Sequence, residues 1–550
     1  MRNLLKKDTR CLIIQPAFSE YSYWNYIDVC KMVGTKYPVA PLGLMTVAAL
    51  LPQQWRFKLV DTNFDQILEE HFEWADIVCV GGMLPQQSGI MSMINWAHRF
   101  NKPVVVGGPD PTSQPELYQS ADYLVLGEGE VTIPMFISDL EDGYTSGSYQ
   151  SEEKADMTKA VVPRFDLIRF QDYLQIGIQF SRGCPFQCEF CNIVELFGRN
   201  PRTKTPEQML RELQALYDLG YRGHIDIVDD NFIGNKKNVK KVLSAIKKWS
   251  ELYRYPFYYS TECSINLADD DHLMQMMKDV DFRYVFIGIE TPEETALIMT
   301  NKTANVNKPV TATVRKINSY GMIVNAGFII GFDHESDQIA ENMISCIQDS
   351  GISIAMLGML YALPDTKLSR RLKVEGRLFE ESSKQKANQT MIDQTTNGLN
   401  FITNRPRIDI LRDFLRIESI IYDPKFYFNR VTHTALQLKW IPKNRPKFIK
   451  RLTMATAFIK LSFQMGHNRS TAWPYYKMLL KVLFKNPRGL ESAANLAAMF
   501  IHFSKQSQFI IKHINQKIEA IQSRMKKKSR TVLKAQYIPK NEWVTESIEI

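Results

Sequence analysis

The first 150 residues alternate between short apolar runs and stretches in which apolar residues recur with helical spacing. Short continuous apolar runs are typical of buried parallel strands. The five predicted strands are Cys11–Gln15, Phe57–Asp61, Ile77–Gly82, Pro103–Gly108 and Tyr123–Gly127. Because strands and helices alternate, residues 1–150 are predicted to form an α/β domain with a doubly wound, Rossmann-like parallel sheet.

Glycine, aspartate and proline recur where these strands end. In open parallel sheets, ligands bind at the carboxyl ends of the strands, and glycine permits close approach to the backbone. The chain has no G-x-G-x-x-G motif after the first strand and no P-loop, which argues against a nicotinamide dinucleotide. The pattern alone therefore leaves two interpretations open, a flat cofactor or no cofactor.

A second series of strand-like runs follows a polar, proline-containing linker at residues 151–175. The capping box Thr205-Pro-Glu-Gln208 predicts the start of its first helix. Six strand–helix units predict a partial (β/α)6 barrel over residues 176–390, with function at the carboxyl ends of its strands. The predicted strands are Ile176–Phe180, Ile225–Val228, Phe257–Thr261, Tyr284–Ile289, Ile323–Gly331 and Ile354–Leu360.

Residues 391–550 are predicted to form a helical and basic C-terminal domain, with an aromatic-rich break at Tyr422–Arg430. Residues 431–550 contain 22 Lys and Arg against 5 Asp and Glu, a net charge of +17, so the rest of the chain carries −8 of the total of +9. Basic amphipathic helices fit an anionic membrane surface. A solvated helical cap is the main alternative, and no recognised motif supports nucleic acid as a partner.

No apolar run approaches the 18 residues of a transmembrane helix. The apolar run near the N-terminus, before Gln15 and Pro16, is also too short for a signal-peptide core. We therefore expect a cytoplasmic protein whose basic region makes peripheral contact with the inner face of the membrane.

Three cysteines, Cys184, Cys188 and Cys191, lie within eight residues in the spacing C-x3-C-x2-C. Thiolates are the ligands of iron–sulfur clusters, and three of them would leave one iron of a 4Fe-4S cubane open to a small molecule. A structural zinc site needs four closed ligands, and no histidine lies nearby. A disulfide knot requires an oxidising compartment, for which the chain shows no secretory context. The open cluster is the preferred interpretation of the three.

This motif, with the aromatic Phe190 before the third cysteine, resembles that of the radical S-adenosylmethionine (SAM) enzymes. In that family SAM chelates the open iron, and an electron from the cluster cleaves SAM to methionine and a 5′-deoxyadenosyl radical. The resemblance implies a cluster held by Cys184, Cys188 and Cys191, SAM as a cofactor, and an electron donor of the flavodoxin or ferredoxin type. It also implies that Phe190 packs against adenine, with a loop-anchoring core role as the alternative.

Polar side chains at the ends of later strands are the candidates for contacts with SAM. Asp229 and Asp230 stand where the family approaches the SAM amino group, and a desolvated ammonium needs charged or polar partners. Glu262 is a candidate for the ribose hydroxyls or the amino group. Glu290 is a candidate for another polar group of SAM, and helix capping is the alternative for both glutamates.

Upstream, the first domain resembles the cobalamin-binding domain of a large radical SAM subclass. The sequence segments that carry this resemblance are Pro41-Leu-Gly-Leu-Met45, Gly107-Gly-Pro109 and Gly127-Glu-Gly-Glu130. Because a D-x-H-x-x-G motif is absent, the resemblance implies cobalamin without a histidine lower ligand; a degenerate domain that binds nothing is the alternative. The residues implied to bind cobalamin are Leu42, Gly43, Gly82, Gly107, Gly108, Gly127, Glu128 and Gly129.

The three-part order resembles a subgroup that includes the hopanoid C-2 methylases. It implies a cobalamin-dependent radical SAM methyltransferase acting on an unactivated carbon of a hydrophobic, hopanoid-like lipid. One alternative is cobalamin-dependent radical SAM oxidation or cyclisation without methyl transfer. A second is a non-catalytic iron–sulfur and corrinoid-binding protein, against which the intact cysteine motif argues. The same fold serves different substrates, so the substrate is the least determined part.

Overall fold

The computed structural model describes residues 8–379, 395–439, 442–444 and 448–536. Its strands, in chain order, are β1 Arg10–Gln15, β2 Tyr37–Val39, β3 Arg56–Asp61, β4 Ile77–Gly81, β5 Val104–Gly107, β6 Tyr123–Val125, β7 Gly147–Tyr149, β8 Tyr173–Ile178, β9 Ser181–Arg182, β10 Arg202–Thr203, β11 Gly223–Ile227, β12 Phe257–Cys263, β13 Phe282–Glu290, β14 Ile323–Ile330 and β15 Ala355–Met359.

The α-helices, in chain order, are α1 Ile27–Val33, α2 Leu42–Leu50, α3 Glu69–Trp74, α4 Gln87–Arg99, α5 Pro109–Ser113, α6 Gly129–Glu141, α7 Ile193–Phe197, α8 Pro206–Asp218, α9 Lys236–Leu252, α10 Asp271–Asp279, α11 Glu294–Met299, α12 Val310–Ser319, α13 Ile339–Ser350, α14 Lys367–Val374, α15 Arg407–Ile421, α16 Pro424–Gln437, α17 Phe448–His467, α18 Arg469–Lys485 and α19 Leu490–Gln536.

The first sheet is parallel, with the strand order β3-β1-β4-β5-β6-β7. Its five predicted strands are confirmed, and buried apolar residues from both faces of the sheet form two clusters, as expected when helices cover both sides. The edge strand β7 was not predicted. It has only three residues, Gly147–Tyr149, which are too few for a periodic pattern.

The second sheet is also parallel, with the order β15-β14-β13-β12-β11-β8-β2. Its six predicted strands are confirmed as the partial barrel. The seventh strand, β2, comes from upstream in the chain and pairs with β8, Tyr37 opposite Tyr173. The chain therefore passes from the first sheet (β1) to the second (β2) and back (β3), which couples the two sheets covalently at both ends of β2.

The C-terminal helices pack on the β15 side of the barrel. Tyr422, at the end of α15, donates a hydrogen bond to the Ala355 carbonyl (2.7 Å), and the buried Arg430 of α16 donates to the Ile352 carbonyl (2.7 Å). The predicted break at Tyr422–Arg430 is wrong beyond its first residues. Asp423 caps α16 and Pro424 stands at its first position, a helix-start signal that the aromatic composition obscured.

The helical character of the C-terminal region is confirmed, and α19 extends over 47 residues. None of the helices in the described ranges is both long and apolar enough to cross a membrane. The predicted boundary between residues 390 and 391 lies outside the described residues.

Candidate active site between the two sheets

The cysteine loop follows β8 at the carboxyl edge of the second sheet. Cys184, Cys188 and Cys191 are half-buried and form no disulfide. Burial raises the pKa of all three thiols, that of Cys191 to about 12. No three His, Cys, Asp or Glu side chains in the described ranges converge tightly on one point. A cubane does not require such convergence, because its cysteines bind different irons.

Two carboxylates hold the backbone that enters this loop. The buried Asp229 accepts hydrogen bonds from the Phe180 amide (2.7 Å) and the Ser181 hydroxyl (2.6 Å). Asp230 accepts one from the Gly183 amide (3.1 Å). Burial raises the pKa of Asp229 to about 7 and that of Asp230 to about 6. Both predicted SAM residues thus position the cysteine loop, and their contact with SAM stays a prediction.

A buried ion pair lies beside the cysteines. The Lys302 ammonium is 2.7 Å from Oε1 of Glu290, the residue that ends β13. Burial lowers the pKa of Lys302, but Glu290 and the thiols of Cys188 and Cys191 raise it more, so that it lies above its usual value. A side chain at Gly288 would lie 2.3 Å from Glu290 Oε1, so glycine makes room for the pair.

Glu290 adopts a left-handed backbone, with φ of +66°, at a register shift between β13 and β14. Such a conformation is uncommon for a residue with a side chain and persists where the surroundings fix it. Here the side-chain amide of Asn305 donates to the Gly288 and Ile289 carbonyls, both at 3.0 Å. The strained turn therefore aims the carboxylate towards Lys302 and the cysteine loop.

Phe190 anchors the cysteine loop through its ring. It packs against Phe332, with 5.6 Å between the ring centroids, and belongs to the rim of the main core. Next to it, the Glu189 amide donates to the Thr300 carbonyl (2.9 Å), and the Glu189 carboxylate is 2.7 Å from Arg371. The loop-anchoring role is thus present, and contact with adenine stays a prediction.

The glycines at the ends of β4, β5 and β6 face a common space. A side chain at Gly107 would lie 2.6 Å from the Val125 carbonyl, and Gly108 has a φ of +101°. A side chain at Gly43 or Gly127 would meet no atom within 4 Å, so these positions border open space. The remaining predicted cobalamin residues, Leu42, Gly82, Glu128 and Gly129, line the same cavity.

Arg182, two residues before the first cysteine, joins this glycine-rich face to the barrel. Its guanidinium is 3.0 Å from Glu128 and 2.8 Å from Glu130. Arg202 also pairs with Glu128, at 2.7 Å. All four side chains are at most 17% exposed, so the network is a buried connection between the two predicted cofactor sites.

A cavity of about 2130 Å³ extends from the glycine-rich face into the barrel. Its barrel wall has three rows of residues set by strand register: an upper row of Glu262, Phe286 and Asn325, a middle row of Asp226, Ser260 and Tyr284, and a lower row of His224 and Tyr258. The Glu262 carboxyl group forms no hydrogen bond with any described residue, and burial raises its pKa to about 8. A typical ligand pocket holds roughly 300–1,000 Å³, so this one has room for more than one ligand.

Three family models match the chain: a B12 binding domain over residues 32–137, the Radical SAM superfamily over 178–347, and a domain of unknown function (DUF4070) over 366–516. An uncharacterised methyltransferase of Synechocystis sp. is 41% identical over 529 residues, covering 95% of this chain and 97% of the relative. The chain belongs to the cobalamin-binding radical SAM enzymes. Its cofactors are therefore a 4Fe-4S cluster, SAM and cobalamin.

The hopanoid C-2 methylase of Rhodopseudomonas palustris is 37% identical to this radical SAM enzyme over 349 residues. The match covers 63% of this chain and 66% of the relative. Two solved structures share the fold. TsrM of Kitasatospora setae, with cobalamin and a [4Fe-4S] cluster bound, has a TM-score of 0.54 at 15% identity and covers 67% of this chain and 75% of its own. OxsB with aqua-cobalamin bound has a TM-score of 0.56 at 14% identity, and the match covers 93% of this chain and 80% of OxsB.

The residues present fit these cofactors. Three thiols that form no disulfide share one loop. The glycine-rich face borders open space, where a flat ring system can lie against the backbone. Sequence reasoning did not single out Lys302 or Arg182, whose ion pairs lie beside the cysteine loop and the glycine-rich face. Lys302 carried no motif signal. Arg182 precedes the cysteine motif directly, but its partners lie 52 and 54 residues upstream.

Proposed function

We propose that this radical SAM enzyme transfers a methyl group to an unactivated carbon of a hydrophobic, hopanoid-like lipid. The observation that carries the proposal is the single cavity that joins the glycine-rich face to the barrel interior. When bound, the cluster and SAM supply a radical that can remove a hydrogen atom from such a carbon, and cobalamin supplies the methyl group. A shared cavity is needed because both events occur at one substrate carbon.

The chain's own residues bind the cofactors, orient the reacting groups and exclude water. In this proposal Cys184, Cys188 and Cys191 hold the cluster, and the Lys302–Glu290 pair presents fixed charges beside it. Asp229 and Asp230 keep the cysteine loop in place through its backbone. Preorganised charges of this kind need no rearrangement when the reaction occurs. The predicted SAM contacts of Phe190, Asp229, Asp230, Glu262 and Glu290, and an electron donor of the flavodoxin or ferredoxin type, remain part of the proposal.

A hydrophobic substrate is favoured by the walls of the cavity, to which side chains such as Phe286, Met356 and Met499 contribute apolar surface. Apolar walls stabilise a ligand by removing apolar surface from water. The relative from Rhodopseudomonas palustris, a hopanoid C-2 methylase, supports a polycyclic lipid as the first substrate to test.

The antiparallel helices α17 and α18, which we name the basic hairpin, are proposed to bring this substrate from a membrane. Residues 448–490 contain no Asp or Glu. Phe448, Leu452, Ile459 and Phe463 are spaced so that they share one face of α17, and all four are exposed. Trp473, Leu480 and Phe484 do the same on α18, where Phe484 is 81% exposed.

Exposed cations border these apolar stripes, among them Lys460, Lys477, Lys481 and Lys485. A large exposed apolar patch with cations at its edge fits the surface of an anionic bilayer. Arg451 and Met454 of α17 also line the cavity, so the basic hairpin contributes to its wall. A lipid leaving the bilayer here would have a short route into the barrel.

The catalytic proposal is tested by incubating anaerobically reconstituted enzyme with methyl-labelled SAM, cobalamin, a low-potential reductant and a hopanoid mixture. We expect 5′-deoxyadenosine and S-adenosylhomocysteine in comparable amounts, with label in a lipid. The triple variant Cys184→Ala, Cys188→Ala and Cys191→Ala is expected to form no deoxyadenosine. Deoxyadenosine with oxidised or cyclised lipid but no transferred label would replace methyl transfer by oxidation or cyclisation. Failure to cleave SAM at all would favour a non-catalytic binding protein.

Membrane docking is tested by sedimentation with vesicles of phosphatidylglycerol or phosphatidylcholine. We expect binding to phosphatidylglycerol vesicles that weakens at high salt, and loss of binding in the double variant Phe463→Ser, Phe484→Ser. Val374→Ser is the matched control, since Val374 is 90% exposed at the end of α14, outside the basic hairpin. Equal loss in control and test variants would contradict a specific role for the hairpin.

A further inference from the structure

The lower half of the barrel wall is polar, although the cavity as a whole is lined by apolar side chains. The middle row contains Asp226, Ser260 and Tyr284, and the lower row contains His224 and Tyr258. An apolar barrel interior has no structural need for five such groups. Burying them is unfavourable unless they are hydrogen-bonded, so their presence calls for partners, including partners on a ligand.

Three of these residues form a hydrogen-bonded chain. Ser260 donates to Asp226, and Nε2 of His224 is 2.7 Å from the Ser260 hydroxyl. The His224 ring stacks on Tyr258, with 4.7 Å between the centroids. Serine and histidine can each donate or accept a hydrogen bond. This hydrogen-bonded chain can therefore bind a ligand group that donates as well as one that accepts.

Gln175 of β8 also donates to Asp226 (3.4 Å), and further polar groups belong to the neighbouring rows and to α19. The Asn325 Oδ1 atom in the upper row is buried and has no hydrogen-bond partner among the described residues. Asn495 of α19 donates to the Tyr284 hydroxyl (3.3 Å), which can itself still donate. A buried amide oxygen without a partner is costly, and a ligand donor would satisfy it.

The charges that line the cavity are mixed, because Arg222, Arg254, Arg283 and Arg451 line it as well as Asp226 and Glu491. Arg283, whose guanidinium lies over Tyr258, is 2.9 Å from Asp281 and 3.7 Å from Glu491. The Asp226 carboxyl group belongs to the hydrogen-bonded chain itself, so an anion bound at Ser260 would lie beside a carboxyl group. A neutral group that both donates and accepts, such as a hydroxyl, matches what the wall offers.

We infer that the middle and lower rows, centred on Ser260, His224 and Asp226, form a binding site for the hydroxyl end of an elongated, otherwise apolar substrate. Ser260 and Tyr258 lie two and four residues before Glu262 on β12, so the site lies about 7 to 13 Å below the upper row. The inference rests on the proposed function in one respect, that the reacting carbon lies at the cofactor end of the same cavity.

The site is tested by binding, independently of turnover. Three radiolabelled probes with one hopanoid skeleton are used: the hydrocarbon, its terminal alcohol and its terminal carboxylate. Each is partitioned between detergent micelles and the reconstituted holoenzyme. We expect the alcohol to bind about five- to tenfold more tightly than the hydrocarbon, as one or two net hydrogen bonds imply. The carboxylate should bind more weakly than the alcohol.

Ser260→Ala and Asp226→Asn are expected to remove the preference for the alcohol while leaving hydrocarbon binding unchanged. Asp226→Asn keeps the side-chain volume, so it serves even if Ser260→Ala perturbs folding. Ser244→Ala, an exposed serine on α9, is the matched control. Equal affinity for alcohol and hydrocarbon in the unaltered enzyme, an unchanged preference in both variants, or no binding of any probe would overturn the inference. Failure of methyl transfer with the binding preference intact would instead overturn the proposed function alone.

Discussion

Replacing Arg182 by methionine tests whether the buried ion pairs join the two cofactor sites. In the unaltered protein Arg182 pairs with Glu128 and Glu130, whose side chains are 1% and 14% exposed. After the change, Glu128 keeps its ion pair with Arg202, whereas Glu130 loses its ion pair with Arg182. Methionine has a similar reach and keeps most of the packing of the arginine stem, so the charge is the main quantity changed.

The expected cost is set by the unpaired carboxylate. Removing one partner of a buried ion pair typically destabilises a protein by about 3–5 kcal/mol. Burial raises the pKa of Glu130, but Arg182 lowers it more, so that it lies below its usual value. The stability from this pair is present above the unfolded pKa and is lost as pH falls through the folded pKa. The deficit of the variant should therefore be larger at about pH 8 than at about pH 5, where the unpaired carboxyl takes up a proton.

Urea unfolding of the cofactor-free protein, followed by circular dichroism, measures this deficit. Arg164→Met is the matched control, because Arg164 pairs with the half-exposed Asp166 and should cost at most about 1 kcal/mol. The double variant Arg182→Met, Glu130→Gln should recover part of the loss. The reasoning is refuted if Arg182→Met costs no more than the control, or if the second change restores nothing.

Two further outcomes are expected. Lys302→Met leaves Glu290 buried without its cation beside the cysteine loop. Deoxyadenosine formation at equal iron content should fall about tenfold or more in this variant, and Lys302→Arg should retain part of it. Unchanged deoxyadenosine formation in Lys302→Met would contradict a role for the ion pair. Glu262 has its pKa raised to about 8 by burial and by Asp226, Asp230 and Asp229, so the unaltered protein should lose stability as pH rises towards and through that value. Glu262→Gln should remove this loss, seen as a melting temperature that falls less between about pH 6 and about pH 9; parallel curves would show that Glu262 titrates normally.

The strands of both sheets were predictable because short apolar runs bounded by glycine and proline carry a local signal. The cysteine spacing was equally local, since the three cysteines fall within eight residues. Helix α16 shows the limit of composition. Its aromatic-rich composition led to the prediction of a break between helices. The N-cap Asp423 and the proline at position 424 instead start a helix there.

The sequence by itself therefore determined the two parallel sheets, the helical C-terminal region, the cysteine motif and the glycine-ended strands, because each depends on residues close together in the chain. Only the tertiary structure decided which distant groups meet. It placed β2 in the second sheet, turned Asp229 and Asp230 onto the backbone of the cysteine loop, and paired Arg182 with Glu128 and Glu130. Such contacts depend on strand order and register, which no local period of the sequence encodes.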